Sequence, residues 1–112
     1  MESIRNSMTL TTQDDGTLVV AGDIDMAGGP LLEEALAARD AELAEVGGGD
    51  VVVDLSDVPF MDSAGLRTLL GAARRAAGRG VGLELRSVGP QIIRLLDVTG
   101  TTAQFTIASR LN

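Results

Sequence analysis

Val51-Val52-Val53-Asp54-Leu55 is an almost continuous apolar run, entered from Gly47-Gly48-Gly49 and left through a link in which Pro59 disfavours helix. A short run of this kind, rich in β-branched residues, is the pattern of a central parallel strand covered on both faces. The flanking segments fit such a sheet. Between residues 31 and 46, Leu32, Leu36 and Leu43 recur at helical spacing, with Pro30 in the first turn. Glu33, Glu34, Asp40 and Glu45 of that helix are expected to face water. A second helix is predicted from Ser63 to about residue 77, with Leu66, Leu69, Leu70 and Ala73 on one face, ending at Gly78-Arg79-Gly80. Val81, Leu83 and Leu85 then alternate with Gly82, Glu84 and Arg86 as a strand. Pro90 opens a third helix that Thr99-Gly100 closes, and residues 104–108 form a last strand. Upstream, residues 8–12 and 17–24 flank Asp14-Asp15-Gly16, a hairpin signal. Residues 1–7 read as a loose lead-in and 8–112 as one α/β domain of order ββαβαβαβ. Its sheet is mixed but mostly parallel, with right-handed crossovers and an antiparallel edge hairpin.

The chemistry open to this chain is narrow. It contains no His, Cys, Lys, Tyr or Trp among its 112 residues. The usual nucleophile–base pairs, zinc sites, phosphate-binding lysine loops and Schiff bases are therefore absent, which argues against an enzyme and for no cofactor. Nine Arg against 16 Asp and Glu give a net charge of −7, and only Phe60 and Phe105 are aromatic. A nucleic acid would meet repulsion and no stacking platform, so neither it nor an anionic membrane is an expected partner. No apolar run approaches a bilayer's thickness and the N-terminus lacks a signal-peptide core, so a cytoplasmic location is the expectation.

In open parallel sheets, sites gather where strands end and helices begin. The loops at residues 23–29, 56–63 and 87–90 occupy those places, and the middle one is the most unusual. Ser63 there reads first as a helix cap, but Asp62 can cap the helix and leave the hydroxyl spare. Gly65 costs about 1 kcal/mol against Ala in a helix, which implies that another segment approaches closely. Helical spacing brings Ser63 beside Arg67 and Leu70. A phosphate on Ser63 would gain from the helix dipole and free N–H groups. Asp23, Asp25, Asp54, Asp57 and Asp62 suggest a magnesium site of the phospho-receiver kind, but that chemistry needs a Lys, and turns and caps explain them better. The two glycine clusters follow helices rather than open them, so they are turns. Arg74, Arg75 and Arg79 read as a solvated helix end.

Three segments in this order resemble the STAS domain, specifically the stand-alone bacterial anti-sigma factor antagonists. They are Val20-Ala21-Gly22-Asp23-Ile24-Asp25, Val51-Val52-Val53-Asp54-Leu55-Ser56 and Phe60-Met61-Asp62-Ser63-Ala64-Gly65-Leu66, supported by Leu95-Leu96-Asp97-Val98-Thr99-Gly100. The resemblance covers residues 8–108. It implies that Ser63 is a phosphoacceptor, and that the unmodified chain binds an anti-sigma factor with serine kinase activity and thereby frees a sigma factor. A phosphatase would reset it. Asp25, Asp62, Gly65, Leu66 and Arg67 are then expected at the partner-binding surface, with Asp23 and Asp54 supporting it. The alternative is a non-enzymatic scaffold subunit of a stress-signalling assembly or of a lipid or anion transporter. Two departures stand out: the family usually adds a C-terminal helix after the last strand, and Gly28-Gly29-Pro30 is more broken than the usual start of the first helix.

Overall fold

A computed structural model describes residues 8–111; the lead-in at residues 1–7 lies outside them. Strand β1 (Thr9–Thr12) pairs antiparallel with β2 (Leu18–Ala21) across the Asp-Gly turn. Helix α1 (Gly29–Glu45) leads to β3 (Val51–Asp57), α2 (Ser63–Gly78) to β4 (Leu83–Arg86), and α3 (Pro90–Thr99) to β5 (Thr106–Ile107). The sheet runs β1-β2-β3-β4-β5, parallel from β2 onward. The expected order is therefore found, with shorter strands at three places. β2 stops at Ala21, β4 starts only at Leu83, and a 3-10 turn at Thr102–Gln104 takes the front of the predicted last strand.

The central strand is covered on one face, not two. Val51, Val53 and Leu55 are buried, while Val52, Asp54 and Ser56 are half-buried on the other side. Adjacent parallel strands laid down in chain order, each reached by a crossover of the same hand, put all helices on the same face. The core there joins Leu18, Val20, Leu83 and Leu85 of the sheet to Leu32, Leu36, Leu66, Leu69, Ile92 and Leu96 of the helices. Phe105 is the one aromatic side chain in this otherwise aliphatic core, so the fold rests chiefly on burial of aliphatic side chains, worth roughly 1.5–3 kcal/mol each.

Asp40 departs from the expectation that it faces water. Its side chain is 9% exposed, and its Oδ1 accepts from Arg79 Nε at 3.0 Å and from Arg79 Nη2 at 2.7 Å. Arg79 also donates to the Gly49 carbonyl at 3.3 Å. It is therefore a tie between the C-terminal ends of α1 and α2 and the entry to β3, not a solvated end. Arg75 makes a second tie, to Glu33 at 2.6 Å. Gly28 serves as the N-cap of α1, and Pro30 fits in its first turn as expected, where no intrahelical N–H bond is lost.

Candidate functional site

β2 ends at Ala21, but its backbone keeps company with the end of β3. The Gly22 N–H donates to the Asp57 carbonyl at 2.9 Å and the Ile24 N–H to the Phe60 carbonyl at 3.0 Å. The Asp62 N–H returns the contact, donating to the Ile24 carbonyl at 3.1 Å. Ile24 and Met61 form a single parallel bridge, and both side chains are fully buried. This pairing draws the loop after β2 against the start of α2.

Gly65 explains why the approach can be so close. A Cβ there would sit 2.6 Å from the Ile24 carbonyl oxygen, 2.7 Å from its Cγ2 and 2.8 Å from Met61 Cγ. The close neighbour that the glycine implied is thus Ile24. Asp62 takes the cap position in extended conformation, and its Oδ1 accepts the Gly65 N–H at 2.9 Å. Ser63 follows as the first helical residue. It is exposed, and with the cap already supplied by Asp62 its hydroxyl has no bond to keep among the described residues. The N–H groups of Ser63 and Ala64 likewise have no acceptor there, as expected of a first helical turn.

Other expected residues fall into three groups. Asp25 sits on the facing loop, where its Oδ1 accepts from the Ala27 N–H at 3.0 Å and the Gly28 N–H at 3.3 Å. Asp25, Met26, Ala27 and Asp62 line a shallow cavity of about 400 Å³. A groove of about 310 Å³ adjoins it between α1 and α2, past Met26, Pro30, Glu33, Ala64 and Arg67. Ser63 stands between Asp62 of the first and Ala64 of the second. Arg67, one turn along the helix, is exposed and has no ion pair among the described residues. Gly65 and Leu66 are a correction: both are buried, Leu66 in the core at 4% exposure, so they shape the surface from behind without forming it. Asp23 is half-buried in the paired loop. Asp54 is set apart, mid-strand on the open sheet face, with its carboxylate on the Ser56 N–H at 2.8 Å and Arg86 as register neighbour.

Among the described residues no group of three carboxylates is arranged to hold a metal ion. The larger hollow of about 500 Å³, lined by Val88, Ile93, Arg94 and Arg110 beside α3, shares no residue with the Ser63 loop. No helix of the described residues is long and apolar enough to cross a membrane. Two apolar residues beside the loop escaped the sequence reading: Met26 is 77% and Phe60 43% exposed. Gln91 escaped it too. From α3 it donates to and accepts from the backbone of Met61, both at 2.9 Å. Nothing in a local pattern marks a contact 30 residues away.

A family model described as Mlab, STAS domain matches residues 8–107. The anti-sigma-B factor antagonist of Bacillus subtilis (strain 168) is 36% identical over 88 residues, which is 79% of this chain and 76% of that protein. The crystal structure of an anti-sigma factor antagonist from Mycobacterium paratuberculosis matches with a TM-score of 0.73 and 28% identity, covering 95% of this chain and 86% of the other. The Bacillus cell fate determinant SpoIIAA in its phosphorylated form has the same fold, with a TM-score of 0.63 at 16% identity over 89% of each chain. Matched by that family model over most of its length, and sharing more than a third of its aligned residues with the Bacillus subtilis protein, this chain belongs to the STAS domain family.

Proposed function

We propose that this protein is an anti-sigma factor antagonist whose partner binding is switched off by phosphorylation of Ser63. In the unmodified state it binds an anti-sigma factor and so releases a sigma factor. That anti-sigma factor is also the kinase: the γ-phosphoryl group of ATP passes to Ser63 Oγ, ADP leaves, and the hydroxyl proton goes to solvent or a kinase base. A phosphatase hydrolyses the ester and restores the binding form. The chain itself works by binding, in the cytoplasm, and turns over no substrate.

One observation carries this reading. Ser63 is exposed at the first position of α2 while Asp62, not Ser63, caps the helix. A phosphate there displaces no structural bond, and it meets the positive end of a 16-residue helix. It adds about −1.5 to −2 charges one residue from Asp62, which shares a shallow cavity with Asp25 and the exposed Met26. A binding surface formed by those groups would be altered strongly and the fold only slightly. The relatives named anti-sigma factor antagonists support the partner class. The phosphorylated form of SpoIIAA supports tolerance of the modification by this fold.

The test is incubation of the chain with ATP and its anti-sigma factor, followed by mass spectrometry. One phosphate on Ser63, and none on Ser63→Ala, is the expected result. A stoichiometric phosphate that persists in Ser63→Ala would refute the assignment.

A further inference from the structure

The segment from Phe60 to Asp62 is extended, and alternate backbone groups point to opposite edges, as in a strand. One edge meets Ile24, through the Phe60 carbonyl and the Asp62 N–H. The other edge belongs to Met61, and β4 does not reach it. That strand ends at Arg86, and Ser87 turns the chain away at a φ of 55°. Met61 is fully buried, so its N–H and carbonyl have no access to water. Both are satisfied by one side chain. Gln91 Oε1 accepts the Met61 N–H at 2.9 Å, and Gln91 Nε2 donates to the Met61 carbonyl at 2.9 Å.

A primary amide carries one acceptor and a donor in the plane of a peptide group, so it can stand in for the missing strand. Few other side chains can. Asn lacks the reach, Glu lacks the donor, and Lys and Arg lack the acceptor.

We propose that Gln91 is a positioning residue for the Ser63 switch: α3 lends its amide as a surrogate strand that fixes Met61 and so sets the place of Ser63. The transmission is short. Met61 held on both edges holds Asp62 in its extended cap conformation, with φ −100° and ψ −176°. Asp62 then places its carboxylate on the Gly65 N–H, and Ser63 starts the helix in a single orientation. The role in presentation rests on Ser63 being the phosphoacceptor; the clamp on Met61 does not.

Two variants of the full chain separate these claims. Gln91→Met keeps length and volume but removes both bonds, while Gln91→Glu keeps an acceptor for the Met61 N–H and loses the donor. Amide hydrogen exchange, followed by NMR and corrected for global stability, should be about tenfold faster at Met61 in Gln91→Met than in the parent. Gln91→Glu should fall between, with β2 and β3 amides unchanged in both. With the kinase that phosphorylates the parent chain, Gln91→Met should raise KM about tenfold and leave kcat within about twofold, because a smaller fraction of molecules presents the competent loop. Equal Met61 exchange in all three proteins overturns the clamp. Faster exchange with unchanged KM overturns its role in presenting Ser63. If the parent chain takes no phosphate on Ser63, the proposed switch fails instead, and the exchange rates alone decide the clamp. Should Gln91→Met not fold, Gln91→Glu carries the same comparison.

Discussion

Replacing Gly65 with alanine tests the geometry on which the site depends. The added carbon would lie 2.6 Å from the Ile24 carbonyl oxygen, 2.7 Å from Ile24 Cγ2 and 2.8 Å from Met61 Cγ. Carbon atoms in contact prefer about 3.5–4.0 Å, so the overlap is close to an ångström in three directions. Ile24 and Met61 are both fully buried, so neither side chain can swing into solvent. The carbonyl is itself held by the Asp62 N–H at 3.1 Å. Overpacking of this sort costs about 1–3 kcal/mol, and weakening that hydrogen bond adds about 1 kcal/mol. Against this, Ala gains up to about 1 kcal/mol of helix propensity. The net is a destabilisation of roughly 1–3 kcal/mol, a fall in Tm of about 4–8 °C for each kcal/mol in a domain of this size. Gly71 provides the control within the same helix. A Cβ there meets nothing within 4 Å outside the helix's own nearby backbone, so Gly71→Ala should stabilise by up to about 1 kcal/mol. Urea unfolding of both variants decides the matter. A Gly65→Ala protein as stable as the parent, or two variants shifted in the same direction, would refute the close approach of Ile24 to α2.

Further outcomes follow from the charges. Ser63→Glu should keep the parent's unfolding midpoint within about 0.5 kcal/mol yet weaken anti-sigma factor binding at least tenfold in calorimetry; unchanged affinity would count against the switch. Arg79→Ala leaves the largely buried Asp40 carboxylate unpaired, and should destabilise by about 2–4 kcal/mol, whereas Asp40→Leu with Arg79→Met should recover most of that loss. Asp15 accepts the Thr17 N–H at 2.9 Å, and this bond, aided by the Arg86 charge, holds its carboxyl below the ordinary range. A group with a lowered folded pKa stabilises above its unfolded pKa and loses that contribution as pH falls through the folded one. The Asp15 carboxyl should therefore titrate below the ordinary Asp value in NMR, and Asp15→Asn should flatten the acid limb of hairpin stability.

The order of elements and the capped start of α2 at Ser63 were legible because their signals are local. Glycine and proline punctuation, helical spacing of Leu, and a spare cap residue beside Ser63 all lie within a few positions of one another. The errors have a common origin in tertiary geometry. Val51 to Leu55 looked covered on both faces because β-branched residues suit either surface. Only the order of strands in the sheet decides that Val52 stays partly open. Asp40 falls on the same helix face as Leu36 and Leu43, one turn from each; its charge alone suggested solvent, and its burial depends on an Arg 39 residues later. Leu66 sits next to the switch in sequence, yet the turn of the helix sends it into the core. Gln91 gave no signal, since its partner is a backbone group that any residue at position 61 except proline would offer in full.

On the proposed reading, a phosphate on Ser63 acts on a loop that is already tied along both edges. Three separate elements hold the residues before Ser63: Ile24 along one edge, Gln91 along the other, and the Asp62 carboxylate across the first turn. None of these bonds uses the Ser63 hydroxyl. A phosphate can therefore discriminate between bound and free states by electrostatics and bulk at one point. Two charges held about 5 Å from one acidic group of a partner, in an effective dielectric near 20, are opposed by roughly 6–7 kcal/mol. Moving an equilibrium from almost fully bound to almost fully free takes about 5.5 kcal/mol. A phosphate so placed against a partner's acidic group would supply a difference of that size without any rearrangement of the domain. Rigidity of the loop is then a requirement of the mechanism: a loop that could swing aside would carry its phosphate away from the partner and lose most of the repulsion.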